Sequence, residues 1–294
     1  MSDDPFARAT REALKARIAL TGPSGSGKTY TALALATSLA DKVAAVDTEH
    51  GRMKEYAGTF PFSHFAPARF DPRELVKLLA RAADNGYGAV IIDSFSHYWM
   101  GSGGALEFVD SHETQRGGKF SAGWKAFRPI ETQMLDALLS YPGHVIATMR
   151  VKTAYVVEQD GGKSVPRKVG LKPEQREGIE YEFAIVGEMD RDHTMTVTKS
   201  TCPALVDQTI PRPGSDVADA LKVWISGGAV LPDALEYRDQ ALDTSNGEKE
   251  LRRLYNEVKA RRLLNAAVVD GSGDETTLGE LIVRMGNERK AAAA

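Results

Sequence analysis

The spacing of apolar and polar positions changes several times along the chain, and each change marks an element. "RIALTG" (17–22) is a short, continuous apolar run closed by glycine, the signature of a buried strand. It feeds a short glycine-bearing loop, and "KTYTALALATSLA" follows at once, its apolar spacing predicting a helix. "KVAAVDTEH" predicts a second buried strand. "DPRELVKLLARAADNG" then predicts a helix with Leu75, Leu78, Leu79 and Ala82 on one face and Asp71 as its N-cap. "GAVIIDS" reads as a third strand. Beyond a glycine-rich, aromatic insertion at 101–128, the helix "PIETQMLDALLSYPG" leads into a fourth strand, "HVIATMR". This alternation predicts an α/β fold: a mostly parallel sheet with helices on both faces and ligand at the carboxyl ends of the strands.

Further on the pattern turns polar. "VKTAYVVEQDGGKSVPRKVGLKPEQ" (151–175) has an Asp-Gly-Gly turn between alternating stretches, which reads as a hairpin or a mobile loop. "YEFAIVGEMDRDHTMTVTKS" predicts paired antiparallel strands at the edge of the sheet, turning at Asp190 to His193. Pro and Gly in 203–214 and 224–232 mark an exit from the core. Residues 233–294 have helical periodicity, clearest in "GEKELRRLYNEVKARRLL". The expected organisation is an N-terminal segment (1–16), an α/β core (17–228) and a small helical C-terminal region (229–294).

Composition adds exclusions. With 42% apolar and 26% charged residues the chain is an ordinary globular sequence. Cys202 is the single cysteine, which rules out an intrachain disulfide and a thiol-rich zinc site, and suits a small buried apolar position. The opening Met-Ser-Asp-Asp-Pro lacks the basic patch and apolar core of a signal peptide, and no apolar run reaches the ~20 residues of a bilayer span. A soluble protein of the cytoplasm, without membrane contact, is expected. A net charge of -3 gives no overall attraction to nucleic acid, so any such binding must come from local basic segments.

The strongest chemical signal is "GPSGSGKT". Gly22, Gly27, Lys28 and Thr29 match the Walker A pattern G-x-x-x-x-G-K-[ST], with a strand before and a helix after. The loop residues Gly22, Pro23, Ser24, Gly25, Ser26 and Gly27, followed by Lys28, Thr29 and Tyr30, are the expected phosphate cradle. Backbone amides and the helix N-terminus face the phosphates, Lys28 reaches the β and γ phosphates, and the Thr29 hydroxyl meets Mg²⁺. ATP and Mg²⁺ are the cofactors this implies. Asp93, ending "AVIID", is the Walker B candidate for the metal, its alternative being a cap for the next helix. Ser94 follows it, so the carboxylate that activates water must come from elsewhere. Glu49, just beyond the second strand, can face the γ phosphate, whereas Asp47 at the strand end reads as structural.

In this order the motifs resemble a known core. Walker A, then Asp-x-Glu-His after the second strand, a Walker B strand without an adjacent glutamate, and a fourth strand running into Met-Arg-x-Lys and a glycine-bearing loop are similar to the RecA-like recombinase core. "GPSGSGKT", "VIIDSFSH", "RKVGLKPEQREGIEYEF" and "TVTKSTCP" resemble more closely the phage-encoded RecA-like ATPases linked to single-strand annealing and recombination, over about residues 17–228. The resemblance implies that Glu49 activates water and that Thr148 occupies the place of the polar γ-phosphate sensor. It also implies that Lys199 is offered to a neighbour's γ phosphate, as an arginine finger is, so that activity needs a homo-oligomer, filament or ring. A solvated strand-end lysine is the alternative for Lys199. A phage or prophage origin, hence the host cytoplasm, is implied likewise.

Three stretches carry the cations and planar groups that single-stranded DNA requires. In "RGGKFSAGWKAFRP", Lys119, Lys125 and Arg128 interleave with Phe120, Trp124 and Phe127, whose spacing also suits an ordinary helix packing face. Residues 150–172 place Arg150, Lys152, Lys163, Arg167 and Lys168 around a Gly-Gly turn, at the position of the DNA-binding loop in RecA-like proteins. "KELRRLYNEVKARRLL" sets a basic face over an apolar seam. Near the start, Phe6-Ala-Arg-Ala9 matches a short Phe-x-x-Ala polymerisation motif. The leading expectation is therefore a DNA-stimulated ATPase that binds single-stranded DNA and promotes annealing or recombination. A motor or loader acting on a replication or single-strand-binding protein, a small-molecule kinase and a barely hydrolysing switch are the alternatives.

Overall fold

The computed structural model describes residues 12–115, 120–160 and 163–292, with the backbone alone at 113–115, 120–121, 153–160 and 163–171. The chain begins with β1 (Arg17–Gly22), α1 (Lys28–Leu39), β2 (Val43–Asp47), β3 (Ser63–Phe65), α2 (Pro72–Asp84) and β4 (Ala89–Asp93). A short α3 (His97–Met100), then α4 (Ala105–Gln115) and α5 (Phe120–Leu139), lead to a long β5 (His144–Asp160) and β6 (Lys163–Pro173). The rest is β7 (Ile185–Met189), β8 (Thr194–Ser200), β9 (Thr209–Pro211), α6 (Ser215–Ile225), α7 (Ala234–Leu242), α8 (Glu248–Ala260), β10 (Ala267–Val269), β11 (Glu275–Thr277) and α9 (Leu278–Ala292).

The central sheet has the order β3-β2-β4-β5-β1-β7-β8-β9, parallel from β3 to β7 and antiparallel at the β8 and β9 edge. Its inner strands β1, β2 and β4 are mostly apolar because both faces are covered, whereas β3, β8 and β9 at the edges alternate with exposed residues. Alternate residues serve opposite cores: Ala19, Val90, Ile92 and Val145 pack with α2 and α5, whereas Ile18, Leu20, Ile91 and Ile146 pack with α1 and α6. Arg17, buried beneath the sheet, donates to the carbonyls of Leu139 at 2.8 Å and Gly143 at 2.7 Å, and also to that of Tyr141, fixing the turn between α5 and β5.

Beyond Arg150, β5 leaves the central sheet and pairs with β6 as an antiparallel hairpin, from Val151 opposite Pro173 to Asp160 opposite Lys163. Of the two sequence readings for this stretch, the hairpin holds.

Two expectations need correction. The helix expected to begin at Pro129 begins at Phe120 and runs through the proline. Burial of Phe127 beside Ala105 and Val109, with Trp124 against Trp99 at 5.4 Å, holds the upstream turns despite the missing amide. The tail expected to be helical also contains the β10–β11 pair. Each of these strands has three residues, too few for an alternation to register. Helices α7, α8 and α9 enclose their own core around Tyr237, Leu254 and Leu281. Ala267 and Val269 join the core under α2, and Arg238 reaches Asp84 at 2.7 Å. Among the described residues no helix is long and apolar enough to cross a membrane.

Candidate functional site

The carboxyl ends of β1, β2, β4 and the sheet portion of β5 converge, because parallel strands deliver their following loops to one edge. After β1 the chain around loop 23–27 is squeezed so tightly that the positions at its two ends, Gly22 and Gly27, admit only glycine. A Cβ on Gly22 would stand 2.4 Å from the Met189 carbonyl oxygen. Gly27 has φ 86° and a Cβ there would lie 3.0 Å from His193 Nδ1. Lys28 curls back over this loop, its Nζ donating to the carbonyls of Gly22 and Pro23, each at 2.8 Å. Burial lowers the Lys28 pKa, against the opposing pull of Asp93 and Glu49.

Asp93 is buried at the end of β4. The Thr29 hydroxyl donates to its Oδ2 at 2.6 Å and the Thr148 hydroxyl to its Oδ1. Burial pushes the Asp93 carboxyl upward, and the two hydroxyls oppose that shift. A hydroxyl and a carboxylate held this close, beside a phosphate loop, are the oxygen donors a hard dication takes. Thr29 and Asp93 are thus the residues that would hold Mg²⁺. Thr148 is fully buried behind Asp93 and touches the site through that carboxylate.

After β2, Asp47 organises the turn. Its Oδ1 accepts from the Glu49 amide at 2.7 Å, and its Oδ2 accepts from the Met53 amide and contacts His64 Nε2, both at 3.0 Å. That turn aims Glu49 across the site at Arg150, the last residue of β5 within the central sheet. Arg150 Nε and Nη2 donate to the two Glu49 oxygens at 2.8 and 2.6 Å. Burial alone would raise the Glu49 carboxyl, but the hydrogen bonds and charge of Arg150, helped by His97 and Arg52, hold it below the ordinary range.

Gly22 to Thr29, Glu49, Asp93, Arg150 and Glu174 line one cavity of about 690 Å³. It adjoins a second, of about 780 Å³, through Gly25, Gly27 and Tyr56. Tyr30, Tyr56 and Phe60 form one wall of the second cavity and His193, Arg212 and Pro213 the other. Tyr30 meets Phe60 edge-on at 5.1 Å and Tyr56 at 6.1 Å. Anionic groups can occupy the first cavity, and a planar ring can lie in the second.

The sequence-predicted residues therefore divide. Pro23, Ser24, Gly25, Ser26, Lys28, Thr29, Glu49 and Asp93 meet at one cavity. Tyr30 faces the other. Lys199 does not reach either: β8 carries it opposite Val186, toward the far end of the strands, where its Nζ donates to the Tyr181 carbonyl at 2.8 Å. Arg150 lies in the cavity wall paired with Glu49, and Lys152 is exposed at the foot of the hairpin. Lys163, Arg167 and Lys168 lie on the β6 backbone. Lys119 and the Phe6 to Ala9 motif fall outside the described residues. Leu251, Leu254 and Val258 of α8 face the C-terminal core, leaving Arg252, Arg253 and Lys259 exposed. Sequence reasoning missed Tyr56, Phe60, His193 and Arg212, which are scattered over three connections, β2–β3, β7–β8 and β9–α6, and follow no motif.

A family model described as an AAA domain matches residues 14–210, about two thirds of the chain. Among curated proteins none matches the chain.

Proposed function

This chain belongs to the AAA domain family of P-loop NTPases, and on that footing we propose that it is an ATP- and Mg²⁺-dependent ATPase that grips single-stranded DNA during phage annealing or recombination. One observation carries the reading: Lys28 and Thr29, Glu49, and Asp93, from three separate stretches, line a single cavity whose wall is also the foot of a basic hairpin.

In this reading the loop amides and Lys28 hold the phosphates, Lys28 exchanging its carbonyl partners for phosphate oxygens. The nucleobase lies among Tyr30, Tyr56 and Phe60. Thr29 and Asp93 hold Mg²⁺, which when bound neutralises charge on the β and γ phosphates. Glu49 orients a water and takes its proton as the water oxygen attacks the γ phosphorus and the bond to the leaving ADP oxygen breaks. Lys199, remote from its own cavity, serves a neighbour's γ phosphate in a homo-oligomer. Lys152, Lys163, Arg167 and Lys168 supply the hairpin's cations for the DNA backbone.

The test is ATP hydrolysis at fixed salt with and without single-stranded DNA, duplex DNA and RNA, beside Lys28→Ala. Stimulation chiefly by single strands, lost in the variant, supports the reading. Hydrolysis indifferent to every nucleic acid, with no single-strand binding at low salt, overturns its DNA half. Wild-type protein that neither binds nor hydrolyses ATP overturns the whole.

A further inference from the structure

The pairing of Glu49 with Arg150 is at odds with the role given to Glu49. A carboxylate that accepts two charge-assisted hydrogen bonds, one on each oxygen, is a weakened base. Arg150 also shares the cavity with the phosphate loop: its side chain and that of Glu49 line it together with Lys28 and Asp93. The main chain of Arg150 is held at each end. Its amide donates to Ser96 Oγ at 3.0 Å and its carbonyl accepts from the Glu174 amide at 2.7 Å. Only the guanidinium is free to exchange partners by rotation of its side chain, which is partly exposed.

We propose that Arg150 is a positioning residue with two mutually exclusive partners, Glu49 in the nucleotide-free site and the γ phosphate in the triphosphate-bound site, so that the catalytic carboxylate is withheld until a triphosphate is present. This rests on the reading of Glu49 as the water-activating group. The γ phosphate is the one anion that separates ATP from ADP at this wall, and a planar guanidinium can take its oxygens in the bidentate manner in which it now takes the carboxylate. Taking Arg150 costs the triphosphate the existing pair, and releasing Glu49 returns both of its oxygens to water. ADP, which ends at the β phosphate, leaves the pair intact. A site that has just hydrolysed ATP therefore re-forms the pair when phosphate departs.

The experiment measures binding of a non-hydrolysable ATP analogue and of ADP, with Mg²⁺, by calorimetry in wild type, Arg150→Ala, Glu49→Gln and the double variant. Arg150→Ala should weaken the analogue by about tenfold while ADP stays within about twofold. Glu49→Gln should tighten the analogue by about threefold, because Arg150 no longer has to leave a charged partner, again without moving ADP. The double variant should match Arg150→Ala. Equal weakening of both nucleotides in Arg150→Ala would make the arginine a structural support and overturn the proposal. An analogue affinity unchanged or weakened in Glu49→Gln would show that the two partners do not compete, and would overturn it as well. Neither readout uses turnover. Persistent hydrolysis in Glu49→Gln would instead remove the water-activating role of Glu49 and leave the partner exchange standing as a binding property.

Discussion

The Thr29 hydroxyl stands 2.6 Å from Asp93 Oδ2, while the hydroxyl of Thr148 donates to the other oxygen of the same carboxylate. Asp93 is thus clamped between the first turn of α1 and the part of β5 that lies in the central sheet. The hydroxyl on α1 is the one that can exchange Asp93 for a metal ion. The hydroxyl on β5 is buried and stays.

Replacing Thr148 by valine removes that fixed donor with little change of shape. Burial then raises the Asp93 carboxyl with less opposition, and the ionised form that would bind metal becomes harder to reach. Thr148→Val should raise the Mg²⁺ concentration for half-maximal ATPase activity about tenfold, with the rate at saturating Mg²⁺ within about threefold of wild type. A magnesium titration decides it. A lower plateau with unchanged half-saturation would mean that Thr148 acts elsewhere.

Glu49→Gln keeps the size of the side chain and removes its basicity. Turnover should fall by at least about a hundredfold, the usual contribution of a positioned general base, while ATP remains bound. Steady-state hydrolysis and nucleotide binding, measured side by side, separate the two effects.

Tyr30→Ala and Phe60→Ala each remove an aromatic wall from the second cavity without touching the phosphate loop's own contacts. Each should raise KM for ATP about tenfold and leave kcat within about twofold, in line with the loss of one base–aromatic contact. Inorganic tripolyphosphate has no ring, so its own affinity should be unaffected. An equal loss of tripolyphosphate binding would place the aromatic cluster in support of the loop instead.

His144 makes a pH-dependent contribution to stability. Its Nδ1 accepts from the Ala16 amide at 3.0 Å. Burial, with the charges of Lys15 and Arg17, lowers its pKa to about 4. The folded value lies below the unfolded one of about 6.5, so the stability is present above pH 6.5 and drains as pH falls toward about 4. Asparagine offers an oxygen to the same amide and does not titrate. Between pH 7 and pH 5, His144→Asn should lose about 2 kcal/mol less than wild type in urea denaturation. Equal losses would assign the acid sensitivity to other groups.

What the sequence made legible follows from the range of each interaction. Gly22 to Thr29 lie within one turn of chain, and the apolar run before Asp93 identifies its strand without help from any distant residue. Glu49 could be placed because Ser94 left a vacancy that only a nearby strand end could fill. Arg150 was legible as a cation but not as the partner of Glu49, since the two are separated by 101 positions and meet only when β5 inserts between β4 and β1. The aromatic wall was hidden for the same reason: Tyr30 begins a helix, Phe60 ends a turn, and nothing local links them. The β10–β11 pair escaped notice because each strand has three residues, and β10 is buried by its packing under α2, not by an alternation of its own.

The hairpin's geometry has a mechanical consequence. β5 is one uninterrupted strand of 17 residues, clamped in the sheet over its first part and standing out from it beyond Arg150. Its two feet, Arg150 and Glu174, stand in the wall of the phosphate cavity. From Arg150 to Asp160 an extended strand reaches about 33 Å, so a tilt of about 10° at the feet displaces the far end by about 6 Å. Such an arm is a cantilever: any change of angle at the wall is multiplied along its length.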